Sequence, residues 1–246
     1  MQIWVIQTLN SLSLGGLLFM LSSGFALIFG LMRIANLTHG ALFMLGAYVA
    51  ATVVRAGHGL ALAALVAAVV IAIVGGLVER LILRRLTGNP QGQVLATLGL
   101  SFVAADFCLM VWGGDPIPIN TPAMFRTPLQ LLGLSFPTYR LFVLAVSIVS
   151  AAALYLLIER TRLGAYLRAG TENARLVQAF GVNVPLMVTL TYAFGVGLAG
   201  LAGVLAAPVY QVSALMGSNI IIVVFAVVVI GGMGSILGSI LTGVML

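Results

Sequence analysis

The chain contains no lysine: all eleven of its basic residues are arginine, against five Asp and Glu. A Walker A phosphate loop needs its lysine on the β- and γ-phosphates, so that nucleotide site is excluded. Charge of either sign is scarce, at 7% of 246 residues, while 62% are hydrophobic and the mean hydropathy is +1.22. A soluble domain of this length cannot cover its surface with so few charges. The single cysteine, Cys108, rules out an internal disulfide and lies in an apolar run, where it reads as a small buried hydrophobe. No His, Cys, Asp and Glu cluster has metal-ligand spacing, and His58 stands alone in a short turn. No nucleophile–base set can be assembled, so the chain is not expected to be an enzyme.

What is present is apolar length. Several runs approach or exceed the ~20 residues that cross a bilayer as a helix. They are continuously apolar rather than alternating, which excludes a β-barrel. The expected fold is all-α: a polytopic transmembrane bundle of about seven or eight segments. It forms one domain over residues 1–246. Spans are expected at Trp4–Gly30, Thr38–Val54, Leu60–Val78, Val94–Trp112, Thr138–Ile158, Leu186–Ala207 and Ser218–Ile230. A last apolar piece, Ile236–Leu246, is too short to cross. The first run lacks a basic leader and is too long for a cleavable signal peptide.

Arginine is unevenly divided between alternate connectors. Eight fall in one set: Arg33, then Arg80, Arg84 and Arg85, then Arg160, Arg162, Arg168 and Arg175. The other set holds three: Arg55, Arg126 and Arg140. The positive-inside rule therefore places Leu31–Leu37, Glu79–Gln93 and Glu159–Pro185 in the cytoplasm and the N-terminus outside. The net charge of +6 is explained by topology rather than by a nucleic-acid partner. The extended external connector, Gly113–Pro137, holds five prolines and is expected to form an ordered, non-helical cap over the span ends, with room for an external partner. Leu77–Arg80 and Leu157–Arg160 both end a span on a Glu-Arg pair, read as interfacial anchoring charges.

The polar segment 159–185 encodes one short amphipathic helix. Thr171 is a fair N-cap, and Glu172 in the first turn complements the helix dipole. Leu176, Ala179 and Phe180 form an apolar stripe at helical spacing. Gly181 supplies a left-handed C-cap and Pro185 closes the turn. A helix of about nine residues, roughly 13 Å, cannot bury that stripe itself, so it needs the membrane interface or a partner's groove.

Here the sequence resembles a known family. Arg168-Ala169-Gly170-Thr171-Glu172-Asn173-Ala174, followed by Ala179-Phe180-Gly181-Val182-Asn183, is similar to the coupling loop of ABC-importer permeases of the branched-chain amino-acid class. Asn36-Leu37-Thr38-His39-Gly40 and Gly46-Ala47-Tyr48 match that class's Asn-x-x-His-Gly and Gly-Ala-Tyr signatures. Leu198-Ala199-Gly200-Leu201-Ala202-Gly203-Val204-Leu205 and Gly231-Gly232-Met233-Gly234-Ser235 match two more, in the family order. The likeness is closer to the LivH-like subunit than to its LivM-like partner. It implies a second, LivM-like permease subunit, two cytosolic ABC ATPases that bind ATP and Mg, and a periplasmic substrate-binding protein. The chain itself would carry no cofactor and would sit in the bacterial inner membrane. The coupling residues would be Arg168, Ala169, Glu172, Asn173, Ala174, Phe180 and Gly181. The family's acidic residue after His-Gly is Ala41 here. Relatives usually continue through at least one more helix, so the expectation is a chain truncated at its C-terminus.

Intramembrane polar groups need partners, which makes Asn36, His39 and the adjacent Gly40 pathway or gate candidates, or else a structural hydrogen-bonded turn. Asp106 lies about three residues, roughly 4–5 Å, from the middle of its span. It could face an aqueous path or be a hydrogen-bonded packing residue. Gly195, Ala199 and Gly203 recur at every fourth position, and Gly234 and Gly238 repeat the spacing, which suits close helix packing. Gly231 and Gly232 interrupt an apolar region as broken transporter helices do.

The reading is an ATP-driven importer's permease subunit that moves branched-chain or other hydrophobic amino acids by alternating access. Related permeases carry urea or short-chain amides. An ATP-independent secondary transporter or channel, with Asp106 as a coupling-ion site, is the alternative from another class.

Overall fold

The computed structural model describes residues 2–131, 134–232 and 234–245. Met233 of the glycine turn and Leu246 of the final apolar piece lie outside the described residues, as do Leu132 and Gly133 of the connector. Helices α1 (Gln2–Met32), α2 (Thr38–Arg55), α3 (Leu60–Leu81) and α4 (Pro90–Trp112) precede the connector. Helices α5 (Thr138–Arg160), α6 (Arg162–Ala179), α7 (Val184–Ala206), α8 (Met216–Gly231) and α9 (Ile236–Met245) follow it. The protein is an all-α bundle, and each of the seven expected spans begins and ends within four residues of a helix.

Among the described residues, five helices are long and apolar enough to cross a membrane: α1, α3 with its 3-10 extension, α4, α5 and α7. Helix α2, with 18 residues, stands apart because it opens on Thr38 and His39 and ends on Arg55. Arg33 ends α1 in the left-handed region, at φ 55°. The chain then turns back beside α1 through residues 33–37, with Ile34 and Asn36 buried. His39 at the start of α2 reaches the Leu21 carbonyl, eleven residues or ~16 Å of helical rise before α1 ends. The connector expected at Leu31–Leu37 is therefore partly inside the bundle: Ile34 and Asn36 are buried, Arg33 is exposed and the rest are half-buried. Non-helical backbone at that depth survives only where protein covers it.

Glycine sets the spacing between helices, because apolar side chains gain nothing by leaving lipid for one another. A methyl group at Gly46 of α2 would lie 2.5 Å from the Gly200 Cα of α7. One at Gly195 would lie 2.7 Å from the Gly24 carbonyl of α1, and one at Gly200 would lie 2.9 Å from Ile71 of α3. Gly203 is closed off by the Phe43 carbonyl of α2. The ridge Gly195–Ala199–Gly203 thus meets two different neighbours, with Ala199 fully buried between them. Gly231 and Gly238 face each other where α8 crosses α9, and Gly232 and Gly234 take positive φ in the turn between.

The proline-rich connector is ordered but not wholly non-helical. It holds a 3-10 turn at Ala123–Phe125 and a short hairpin, β1 (Leu129–Leu131) with β2 (Leu134–Phe136). Phe125 stacks on Phe142 at 4.5 Å, and Ile117 pairs with Val212 of the α7–α8 loop through two backbone hydrogen bonds.

Gly46→Val should lower the melting midpoint in detergent by the equivalent of about 1–3 kcal/mol, since backbone sits where its side chain must go. Gly99→Ala on α4, where the added methyl meets nothing within 4 Å, should leave the midpoint unchanged or raise it.

Candidate functional site

The expected amphipathic helix exists, but it begins later than Thr171. Helix α6 runs from Arg162, where Thr161 caps the Gly164 N–H, to a break at Asn173 with φ −150° and ψ 91°. Asn173 Oδ1 accepts from the Leu176 N–H at 3.0 Å, so Asn173 is the N-cap of the second piece. Thr171 instead donates its hydroxyl to the Arg168 carbonyl, and Glu172 precedes the cap rather than entering the first turn. The second piece, Ala174 to Ala179, is shorter than the nine residues expected. It ends as foreseen, with Gly181 at φ 84°.

The stripe divides. Val177 is the buried contact of this piece, whereas Leu176 is 55% and Phe180 81% exposed. Ala174, Ala179 and Glu172 are exposed as well. An exposed Leu–Phe pair of this kind needs either the membrane interface or a partner's groove to cover it.

Two arginines fasten this exposed piece to the bundle. On its N-terminal side, Arg33 Nη2 donates to the Thr171 carbonyl at 2.9 Å, and Gly170 packs against Leu31 of α1 and Met187 of α7. On its C-terminal side, Arg84 Nη2 donates to the Pro185 carbonyl at 2.7 Å and bonds the Thr189 hydroxyl. Arg84 also pairs with Glu79 at 3.2 Å, while Thr189 donates to the same carboxylate at 2.6 Å. Glu79 is 2% exposed, so it is no surface anchor, and its partner is Arg84 rather than the adjacent Arg80. Sequence reasoning missed this clasp. Its one signal was an acid in the last turn of an apolar span with Arg five residues on. Glu159 pairs with Arg168 at 3.4 Å, both half-exposed, and Arg168 also bonds the Ile158 carbonyl. Ala169 follows it on the same turn.

Three residues beyond Arg33 the chain enters a buried polar cluster. Asn36 Nδ2 donates to the Tyr192 hydroxyl of α7 at 2.9 Å. His39 Nε2 donates to the Leu21 carbonyl at 2.9 Å, its ring edge-on to Phe25 at 5.5 Å. Leu37 and Thr38 bond Thr97 of α4. Among the described residues, Asn36 Oδ1, His39 Nδ1 and Ser22 Oγ are buried without a partner. Gly40 meets Gly217 of α8, backbone against backbone. Asp106 is not part of this cluster: it is exposed on the outer face of α4 and makes no hydrogen bond among the described residues.

The family model for the branched-chain amino acid transport system permease component matches residues 7–246. The chain is 25% identical, over 98% of its length and 82% of the relative's, to the high-affinity branched-chain amino acid transport system permease protein LivH of Escherichia coli K12. It is 28% identical, over 98% of its length and 83% of the relative's, to the corresponding permease protein BraD of Pseudomonas aeruginosa. No solved structure matches.

Arg84→Ala leaves the Glu79 carboxylate buried without its counter-charge, with the Thr189 hydroxyl still donating to it, and should cost about 3 kcal/mol in detergent unfolding. Thr189→Val, which removes one donor from that carboxylate, should cost about 1 kcal/mol.

Proposed function

This chain belongs to the branched-chain amino acid transport permease family, and from that premise we propose that it is the translocating subunit of an ATP-driven importer. The cargo is a branched-chain or other hydrophobic amino acid. A second permease subunit completes the pathway, two cytosolic ATPases hold ATP and Mg, and a periplasmic binding protein delivers the cargo. The chain lies in the inner membrane, with its arginine-rich connectors in the cytoplasm and its N-terminus outside.

The observation that carries this reading is the exposed Leu176–Phe180 face, held between the Arg33 and Arg84 clasps. A cleft on an ATPase that accepts Phe180 would bury a large aromatic anchor at the centre of the contact. Closing of the ATPases then displaces residues 174–181, and each clasp passes the displacement to a different helix pair. Arg33 pulls on the segment that holds Asn36 and His39, where α1, α2 and α7 meet. Arg84 pulls on the junction of α3 and α4. The Asn36–Tyr192 bond is placed to break or hold as these helices rock, and that rocking is the alternating-access step. Asp106, exposed on the outer face of α4, lies apart from this path.

Phe180→Ala should weaken ATPase association by about 2 kcal/mol, roughly 30-fold, while the melting midpoint stays unchanged because the ring is exposed. Glu172→Arg should lower ATPase co-purification in the same assay. Well-folded wild-type chain that retains no ATPase with any permease partner would remove the coupling reading.

A further inference from the structure

Between the first half of α1, the α7–α8 loop and the first turns of α8 lies an open cavity of about 580 Å³. Its size falls in the range of small-molecule sites, roughly 300–1,000 Å³. One wall is a single stripe of α1, Leu14, Leu17, Leu18 and Leu21, at helical spacing. Phe43, Met216, Ile220 and Val223 continue the apolar lining. The rim is polar: Gln211 and Ser213 come from the loop, and Asn219 comes from α8.

Three features identify the class of ligand. First, no Asp, Glu, Arg, Lys or His is among the lining residues, so a solute with net charge would lose its hydration with no counter-charge to replace it. Second, the polar lining side chains, Tyr210, Gln211, Ser213 and Asn219, come from the α7–α8 loop and the start of α8, while α1 contributes leucine alone, which suits a molecule polar at one end and branched-apolar at the other. Third, Leu21 of the leucine wall has its carbonyl held by His39, which ties the wall to the buried Asn36–His39 cluster. A second cavity, about 510 Å³ between α1, α5, α6 and α7, is lined mainly by leucines, Met187 and Phe194, with Tyr166, Asn183 and Thr191 as its polar side chains.

We propose that the cavity behind Leu14–Leu21 is where the permease itself holds its cargo, a zwitterionic amino acid with an apolar side chain. The side chain lies on the α1 leucine stripe, and the ammonium and carboxylate face Gln211, Ser213 and Asn219. The proposal rests on the importer reading above and adds that the permease, not only a separate binding protein, selects against charged side chains.

The test uses the chain's single cysteine. In a Cys108→Ala background, Asn219→Cys is produced with its transport partners in membrane vesicles and labelled with a neutral thiol reagent. Leucine or valine should slow labelling by a factor of 1 + [L]/Kd, about tenfold at ten times Kd, while glutamate and lysine should not. Val223→Trp, which fills the cavity from α8, should abolish that protection with ATPase co-purification intact. A cysteine that never labels, one that leucine leaves unprotected in vesicles that still import leucine, or one protected equally by lysine would each overturn the proposal. Protection by short-chain lipid instead of amino acid would overturn it in favour of an acyl chain. If leucine protects the cysteine but the vesicles import nothing, the site stands and the importer reading falls.

Discussion

The bundle depends on backbone-to-backbone contact along α7. Gly195 on α1, Gly200 against both α2 and α3, and Gly203 under the Phe43 carbonyl bring four helices to one axis. In lipid there is little hydrophobic gain from placing leucine against leucine, so attraction comes from close van der Waals contact and from the hydrogen bonds that closeness permits. Tyr192 illustrates the second part. It is fully buried one turn before Gly195 and reaches Asn36 only because α7 is already pressed against the start of α2. The same helix carries Thr189, which completes the Glu79–Arg84 clasp. Packing, the polar cluster and the fastening of the exposed turn are thus all referred to one element.

That arrangement gives the exposed turn unusual leverage. Residues 174–181 bury little of their own surface, yet both flanks are tied to other elements by charged donors on backbone carbonyls, Arg33 on Thr171 and Arg84 on Pro185. Bonds of this kind are roughly twice as strong as neutral ones and keep their geometry when pulled. Arg33 also holds a left-handed backbone that costs a non-glycine residue about 1–2 kcal/mol. Strain of that size persists where the surroundings over-determine the conformation, and here it joins the turn to the segment that climbs to Asn36 and His39.

Hydropathy made the helices legible because a span is a local property of composition. Trp4–Gly30, Leu60–Val78 and Thr138–Ile158 each fall inside the helix observed. Depth was not legible. Nothing in residues 33–37 says that the chain doubles back beside α1, because the partner of buried Asn36 is Tyr192 of α7, more than 150 residues away. The cap at Asn173 was misplaced for a related reason. Thr171 and Asn173 are both good caps, and what carries the helix past Thr171 is the contact of Gly170 with Met187 and Leu31. The Gly181 stop needed no such help, since a positive φ there is a one-residue requirement. Family motifs singled out Asn36, His39 and the loop, but the Glu79–Arg84–Thr189 clasp joins residues 110 positions apart and had no motif to announce it.

The scarcity of charge has a mechanical consequence as well as a topological one. A carboxylate or guanidinium inside the bundle must be paired wherever it goes, so each one restricts the conformations available to the helices that carry it. Glu79 is the buried acid here, and it sits at the arginine-rich end, where pairing fixes the attachment of the exposed turn. The middle of the bundle uses only neutral donors: Asn36, His39, Tyr192, Thr38 and Thr97. Neutral bonds between helices are worth on the order of 1 kcal/mol, so they can exchange partners as helices rock without a desolvated charge being stranded. The unpartnered Oδ1 of Asn36 and Nδ1 of His39 are spare valences for such an exchange. Under the proposed coupling, a bundle tied by charge at the exposed turn and by neutral hydrogen bonds around Asn36 would concentrate motion at that neutral cluster.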